Sequence, residues 1–459
     1  MEPTALAPKT SAGLMQPAAS GSAALATDAH AALDKRKLFI LAVVACTANS
    51  MSFVARTSIA EDIRKTFFDP LDPVHSASLL GSALGIAFLG FAFTVAFGSY
   101  LVDVLGMRNI LIISSASFAS GTLLTIFADS ITQGPAIYWV VWLGMLLSGI
   151  GWGSSEAVIN PLTTTLYPDD KTHKLNVLHA WWPGGNIIGG LLGLAIGSLG
   201  MSWRVKFATV LIPALAILVL LVGSKFPKTE RVAAGIPTSE MFKQAIRPAF
   251  LIWFFAMFLT AAAELAPGQW VDMALTRTVG IQGIWLFIYV NGLMFVMRHF
   301  AGTMVHKLSS VGLLWCSCLL ASLGLLALSV ANSPLLGFLA ATVWGVGVCY
   351  MWPTMLASAS ERFPRGGALV MGLIGFAGCC SIYFVLPQMG QIFDATKIEV
   401  AGGEEAFKQL TGAALDRVLA IASIASFKIV AILPAILLFV FGAIWFSDRA
   451  KGGFKPERL

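Results

Sequence analysis

The stretch GIGWGSSEAVINP, residues 149–161, places one carboxylic acid, Glu156, inside a long apolar segment that begins near residue 136. A charged group at the centre of a bilayer costs about 2.5–3.5 kcal/mol on insertion scales, so acids at such positions are functional by default. A carboxyl group there can take up and release a proton. The alternative is structural, a hydrogen-bonded glutamic acid that only fixes helix packing.

The spacing around Glu156 places it near the middle of a membrane. It precedes Tyr167 by about eleven residues, which is roughly 16 Å of helix. Gly149, Gly153, Glu156 and Asn160 are spaced i, i+4, i+7 and i+11 and therefore share one helical stripe. Such a stripe faces a cavity or a neighbouring helix rather than lipid.

A second acid, Glu264, lies about seventeen residues beyond Arg247, which predicts a position in the outer half of its span. Pro267 and Gly268 follow and should loosen the helix, freeing carbonyl groups that can line a cavity. We expect either a coupling-cation site or an outer gate there. A structural role in the outer interface is the open alternative.

A polar stripe recurs further along, where Asn176, His179, Pro183 and Asn186 are spaced i, i+3, i+7 and i+10. Asn amides both donate to and accept from sugar hydroxyls. His179 is expected near the inner end of its span, in an interfacial or gating role. Arg56 could pair with one of the intramembrane acids or extend to the outer interface.

Amides and indole rings elsewhere complete the predicted binding surface. The candidate substrate-binding residues are Asn49, Asn160, Asn176, His179, Asn186, Asn291, Trp352, Gln388 and Gln391. Amides on several helices, with Trp faces for sugar C–H groups, suit a neutral polyol. The coupling candidates are Glu156, Glu264 and Arg56, and a Na⁺ site near Glu156 or Glu264 is a further expectation.

The elements that position these residues are membrane helices. The 459-residue chain is 57% hydrophobic and 12% charged, which is too apolar for an ordinary soluble protein. Stretches of about 20 apolar residues recur, and alternating strands are absent, so we predict an all-α membrane protein. The predicted spans are 38–59, 79–102, 109–128, 136–161, 174–199, 203–223, 247–266, 281–303, 311–330, 335–358, 366–392 and 421–446.

Charge sets the expected orientation and partners. About 20 Lys and Arg fall in the tails and even-numbered connections against about 9 elsewhere, which predicts that both termini lie in the cytoplasm. We expect the membrane to be a bacterial inner membrane. Residues 1–36 are expected to form a disordered tail, and 448–459 a second tail. No basic run interleaved with aromatic residues indicates nucleic-acid binding, and no catalytic or cofactor motif indicates an enzyme. We expect a monomer.

The chain also divides into two similar halves, 37–223 and 247–447, joined by a polar linker over 224–246. Aligning Pro168 with Pro364 at the ends of spans 4 and 10 sets Glu156 opposite Trp352, since each lies twelve residues upstream. Repeated halves are typical of transporters that bind their substrate near the midplane.

The residues after 37 resemble the major facilitator superfamily. GSYLVDVLGMRNIL carries the loop signature of that family at Gly98, Asp103, Gly106 and Arg108. Residues 156–185 resemble the fucose–proton symporter and glucose permease branch. The resemblance implies two rocking six-helix halves, with Asp103, Gly106 and Arg108 in a conformational switch.

We therefore expect a secondary transporter that imports a neutral monosaccharide with H⁺ or Na⁺, with Glu156 as the coupling or substrate-binding carboxylate. The coupling ion is open, because span 1 carries Asn49 and has no acid before Glu61. Another polar or anionic solute, export, and a non-transporting sensor are the alternatives.

Overall fold

The computed structural model describes residues 33–72, 76–279 and 283–455, and these residues contain twelve long helices and no β-strand. The predicted disorder of residues 1–36 falls almost entirely outside the described residues. The long helices are α1 (Lys35–Ser58), α2 (Ser76–Leu105), α3 (Met107–Ile126), α4 (Ala136–Leu166), α5 (Lys171–Ser198), α6 (Trp203–Ala208 and Leu211–Leu221), α7 (Pro248–Val279), α8 (Gly283–Arg298), α9 (Ala301–Val330), α10 (Pro334–Val348 and Met351–Arg362), α11 (Gly367–Ala401) and α12 (Gly412–Ala450).

Short helices occupy the connections. They are Ala60–Ile63, Ala128–Ile131, Glu230–Ala233, Thr238–Ala245 and Glu404–Gln409, with a π-helix at Arg64–Phe68 and a 3₁₀ turn at Pro364–Gly366. Two of them lie in the linker between α6 and α7, so this linker is partly helical.

The long helices are membrane-spanning elements. Ten of them are long and apolar enough to cross a bilayer, and α8 supplies a shorter apolar helix from Trp285 to Arg298. The twelfth, α5, has 28 residues and carries the Asn and His stripe. The predicted twelve-helix membrane fold is therefore confirmed.

Several predicted boundaries differ from the structure: α7 continues to Val279, α11 to Ala401, and α12 begins at Gly412. The boundary of span 8 matters most for the site. Span 8 was expected to run to residue 303, whereas α8 ends at Arg298 and α9 begins at Ala301. Inside α9, Ser309 has φ 64° and ψ 165°, so the reversal of chain direction lies there. Arg298 consequently lies about ten residues before the turn, deep in the bundle, where it is 1% exposed.

The packing repeats between the halves. In the first half α1 packs on α5 and α3 on α4, and in the second half α7 packs on α11 and α9 on α10. The halves meet where α2 packs on α11 and where α5 packs on α8. If the two halves are exchanged, the α2–α11 interface becomes the α8–α5 interface. The predicted two pseudo-symmetric six-helix units are therefore confirmed.

Helices α1 and α5 approach each other closely at Gly185. A Cβ at this position would lie 1.9 Å from Ser50 Oγ and 3.1 Å from the Thr47 carbonyl oxygen. Only a glycine lets the two backbones come this near. The contact holds the Asn and His stripe of α5 beside α1.

Candidate functional site

An internal cavity of about 200 Å³ lies between the two halves. Helices α1, α2, α4 and α5 line it from the first half, and α7, α8, α10 and α11 from the second. At about 30 Å³ per water it has room for about seven water molecules, the scale of a small organic solute. Its polar lining residues are Glu156, His179, Asn186, Glu264, Asn291 and Arg298.

Aromatic rings form much of the cavity wall. The rings are Phe53, Phe88, Phe91, Trp152, Trp182, Phe287, Trp344 and Trp352. Trp152 and Trp182 stack with centroids 5.1 Å apart. Trp352 lines the same cavity as Glu156, as the alignment of the two halves predicts.

The Glu156 carboxylate accepts one amide N–H on each oxygen. Asn49 Nδ2 on α1 donates to Oε2 at 3.2 Å, and Asn160 Nδ2 donates to Oε1 at 3.0 Å. Ser155 Oγ lies 2.5 Å from Asn49 Oδ1 and 2.8 Å from the Trp152 carbonyl oxygen, so its one hydrogen can go to either acceptor. Two N–H donors match the ionised form of the carboxylate.

His179 extends this network from α5. Its Nε2 lies 2.9 Å from Asn160 Oδ1 and 3.6 Å from Glu156 Oε1. Because the Asn160 nitrogen points to Glu156, its oxygen faces the imidazole and Nε2 must carry the hydrogen. The expectation that His179 lies near the inner end is wrong, since α5 runs back along α4 and brings the ring to the cavity.

Glu264 lines the same cavity, and its predicted depth in the outer half of its span stays a prediction. Helix α7 continues through Pro267 to Val279 without the expected break. Arg298 Nη2 donates to Glu264 Oε1 at 3.0 Å, and both side chains are buried. The proline is accommodated inside the helix, so the acid stays on the inward face.

Arg298 is a site residue that was not predicted from the sequence. It donates through Nη1 to the His179 carbonyl oxygen at 2.7 Å and through Nε to the Cys349 carbonyl oxygen at 2.6 Å. One guanidinium thus connects α8 to α5, α7 and α10. The sequence does show an arginine inside an apolar segment. Because span 8 was predicted to end near residue 303, Arg298 was expected close to the end of the span rather than in the middle of the bundle.

Two buried acceptors beside the cavity have no close hydrogen-bond donor among the residues that the structure describes, although the backbone N–H of Trp352 approaches the carboxylate of the first. They are Glu264 Oε2 and Asn186 Oδ1, and each of these residues is 7% exposed. The Asn186 nitrogen donates across the halves to Asn291 Oδ1 at 3.3 Å. Buried acceptors without donors are costly, so a side-chain rotation that turned either oxygen into the cavity would let it accept a hydroxyl group of a bound solute.

Arg56 does not pair with Glu156 or Glu264, contrary to the prediction. Glu264 is taken by Arg298, and Arg56 lies seven residues along α1 from Asn49, which is about 10 Å of helix. Arg56 lies two residues before the end of α1, but its side chain does not extend into solvent there, because it is only 4% exposed and its guanidinium lies 5.9 Å from the Trp152 ring centroid.

Five other predicted residues lie outside the cavity lining, and two of them, Asn49 and Asn160, bind the Glu156 carboxylate instead. Asn176 donates to Thr354 Oγ1 on α10 at 3.2 Å and thus joins the two halves nearer the face where α1 begins and α12 ends, here named the termini face. Gln388 and Gln391 are exposed on α11. They lie six and nine residues beyond Ile382, the last cavity residue of that helix, which is about 9–13 Å.

The predicted switch residue Asp103 lies on the termini face and binds the linker. Arg231, in the short helix Glu230–Ala233, donates to Asp103 Oδ2 from Nε at 3.0 Å and from Nη2 at 2.5 Å, and Thr229 Oγ1 donates to Oδ1 at 2.6 Å. Gly106 has φ 80° at the start of α3, a conformation that favours glycine. Arg108 is exposed. The ion-pair partner of Asp103 is therefore Arg231 of the linker, a residue that the sequence did not indicate.

The described residues hold no cluster of three or more His, Cys, Asp or Glu side chains that could bind a metal ion. The predicted Na⁺ site near Glu156 or Glu264 stays a prediction.

Comparison with known proteins identifies one family and several solved structures with the same fold. The family model of the Major Facilitator Superfamily matches residues 38–387. No curated protein sequence matches the chain significantly.

Three solved structures are similar over nearly their whole length. The proton:xylose symporter XylE from E. coli has TM-score 0.69 and 16% identity, covering 89% of this chain and 95% of its own. The E. coli fucose:proton symporter FucP has TM-score 0.65 and 15% identity, covering 87% and 98%. The human organic anion transporter MFSD10 has TM-score 0.65 and 13% identity, covering 89% and 99%. At these identities the likeness shows the fold alone.

Proposed function

Because the chain belongs to the major facilitator superfamily, we propose that it is a secondary transporter that imports a monosaccharide together with a proton, by alternating access of its two halves. Glu156 is the proposed coupling residue. The sequence favoured a neutral monosaccharide on the strength of an amide-rich pocket. The solved xylose and fucose symporters share the fold and support a sugar as the first substrate to test.

One observation carries this proposal: a buried, hydrogen-bonded carboxylate lines a cavity that both halves enclose. Glu156 is 4% exposed and connects to His179 through Asn160. A proton taken up here changes a charge at the solute site itself, and this is the requirement for coupling. The Glu264 carboxylate and the Asn186 amide line the cavity and supply acceptors for sugar hydroxyls, and the indole rings supply apolar faces.

The hydrogen bonds of Glu156 favour a proton over Na⁺ as the coupling ion. Na⁺ needs oxygen lone pairs directed toward it, and hydrogen-bond donors repel it. Both Glu156 oxygens face amide N–H groups of Asn49 and Asn160. A proton needs only one of these oxygens and a small rotation of an amide.

Alternating access requires the contacts on the termini face to break. There Asn176 on α5 donates to Thr354, and Thr172 Oγ1 donates to Glu361 Oε1 on α10 at 2.9 Å. Lys171 Nζ binds Glu230 of the linker at 2.7 Å. We propose that these bonds hold the termini face closed, that this face is cytoplasmic in a bacterial inner membrane, and that one chain forms one transport unit.

The proposal is tested by uptake into liposomes that contain the purified protein. Radiolabelled sugars are offered under an imposed pH gradient, an imposed Na⁺ gradient, or neither. We expect accumulation above equilibrium under the pH gradient and none under the Na⁺ gradient. Accumulation that follows Na⁺ alone contradicts the coupling ion, and the absence of concentrative uptake under both gradients contradicts symport.

A further inference from the structure

The charged groups in and beside the central cavity suggest what charge the solute carries. Arg298 and Glu264 form one buried ion pair at 3.0 Å. The remaining charges are Glu156 and Arg56, which do not contact each other. The sum over these four groups is zero when both acids are ionised, and the hydrogen bonds of Glu156 fit the ionised form.

Arg56 is the cation of this set that lacks a partner in the described part of the chain. It is 4% exposed, and its Nη1 has no hydrogen-bond acceptor. Ser52, one turn earlier on α1, and Ser148, one turn before Trp152 on α4, also carry buried hydroxyls without partners. Because the guanidinium lies over the Trp152 ring, a wall of the cavity, an unsatisfied positive region adjoins the solute site.

Among the side chains that the structure describes, no other titratable group near Glu156 offsets the positive charge of Arg56. Cys46 on α1 and Cys379 on α11 are thiols, which are uncharged at pH 7. His179 on α5 counts as neutral, since Arg298 of α8 already binds its carbonyl oxygen and opposes a second positive charge there. Protonation of Glu156 therefore leaves the site with one uncompensated positive charge, which is unfavourable in a buried site.

We propose that the solute carried with the proton is a sugar acid, a monosaccharide bearing one carboxylate. Its negative charge offsets that of Arg56, which lies beside Trp152 and outside the cavity lining, when Glu156 is protonated. Its hydroxyls donate to the Glu264 carboxylate and to the Asn186 amide, which both line the cavity. This inference rests on the proposed proton-coupled transport and replaces the neutral sugar expected from the sequence. The amides that suggested neutrality include Asn176, Gln388 and Gln391, which lie outside the cavity lining.

The proposal has an electrical consequence. A proton and a monoanion that cross together move no net charge, whereas a proton and a neutral sugar move one positive charge. Membrane potential should therefore act on the second kind of transport and not on the first. Solute chemistry and charge movement can be measured on the same liposomes.

The experiment compares matched pairs, D-glucose with D-glucuronate and D-galactose with D-galacturonate. Uptake is driven by an imposed pH gradient at zero potential and at about −100 mV, set with potassium and valinomycin. We expect accumulation of a uronate with less than twofold change between the two potentials and no transport current. If a hexose accumulates instead and carries current, proton-coupled sugar transport stands and the sugar-acid proposal is overturned. If neither member of any pair accumulates, both proposals fail.

Variants at Arg56 test the charge itself. Arg56→Gln should lower uronate uptake at least tenfold and raise the preference for hexose over uronate in competition, whereas Arg56→Lys should retain most uptake. Arg417→Gln removes an exposed arginine on α12, and as the control it should leave the preference unchanged. Equal loss of uronate and hexose binding in folded Arg56→Gln, or failure of the lysine variant to rescue, overturns the role of the charge.

Discussion

At the scale of residues, the buried pair of Arg298 and Glu264 should be necessary as a pair rather than as two separate charges. Removing one partner of a buried ion pair leaves the other uncompensated, which costs about 3–5 kcal/mol. We expect Arg298→Gln to lower the unfolding temperature in detergent strongly. The double variant Glu264→Gln with Arg298→Gln should recover much of that loss.

The exposed pair of Arg204 and Asp129 provides the control. Its atoms approach to 2.5 Å, but the side chains are 36% and 41% exposed. Pairs of this kind contribute about 0–1 kcal/mol. Arg204→Gln should therefore change the unfolding temperature little. A double variant as unstable as Arg298→Gln alone would show that Arg298 acts through its carbonyl contacts and not through Glu264.

The sequence could identify Glu156 but not its surroundings. An acid on a Gly and Asn stripe is visible from spacing alone, and the pairing of Glu156 with Asn160 follows from the i, i+4 rule. Arg298, His179 and Glu264 meet because α5, α7 and α8 converge. The rise per residue gives the depth of a residue along its own helix and does not show which helices approach each other. Convergence depends on tilt and on the turn at Ser309, neither of which has a local sequence signal.

At the scale of elements, the close approach of α1 and α5 should tolerate no side chain at Gly185. An added methyl group would collide with Ser50 Oγ, and overpacking of this kind costs about 1–3 kcal/mol. We expect Gly185→Ala to reduce the yield and thermal stability of the folded protein. Gly190→Ala on the same helix has nothing within 4 Å of the added Cβ and should behave as the parent. Equal behaviour of the two variants would contradict the packing argument.

The linker should stabilise the closed conformation of the termini face. The side chains of Arg231 and Asp103 are 5% and 4% exposed, and their ion pair joins the linker to the end of α2. Arg231→Gln should raise the fraction of molecules open on the termini face, as measured by distances between spin labels on α4 and α10. Lys228→Gln, an exposed change in the same linker, should leave the distances unchanged. The double charge reversal of Asp103 and Arg231 should restore the closed population, and a failure to do so would count against a direct pair.

At the scale of the whole molecule, the account places the termini face in the cytoplasm. A cysteine at Ala234 in the linker should be protected from a membrane-impermeant maleimide in intact cells. A cysteine at Asn332, between α9 and α10, should be labelled. Both positions are exposed on the structure, so accessibility reports sidedness alone. The reverse labelling pattern would invert the predicted orientation.

The most direct test of the central claim separates exchange from accumulation in Glu156→Gln. Glutamine keeps the size and most hydrogen-bonding capacity of the side chain but cannot take up a proton. In proteoliposomes this variant should exchange external labelled solute for internal unlabelled solute at a rate comparable with the parent. It should also fail to concentrate solute under a pH gradient. Full gradient-driven accumulation by Glu156→Gln would contradict the assignment of Glu156 as the coupling carboxylate.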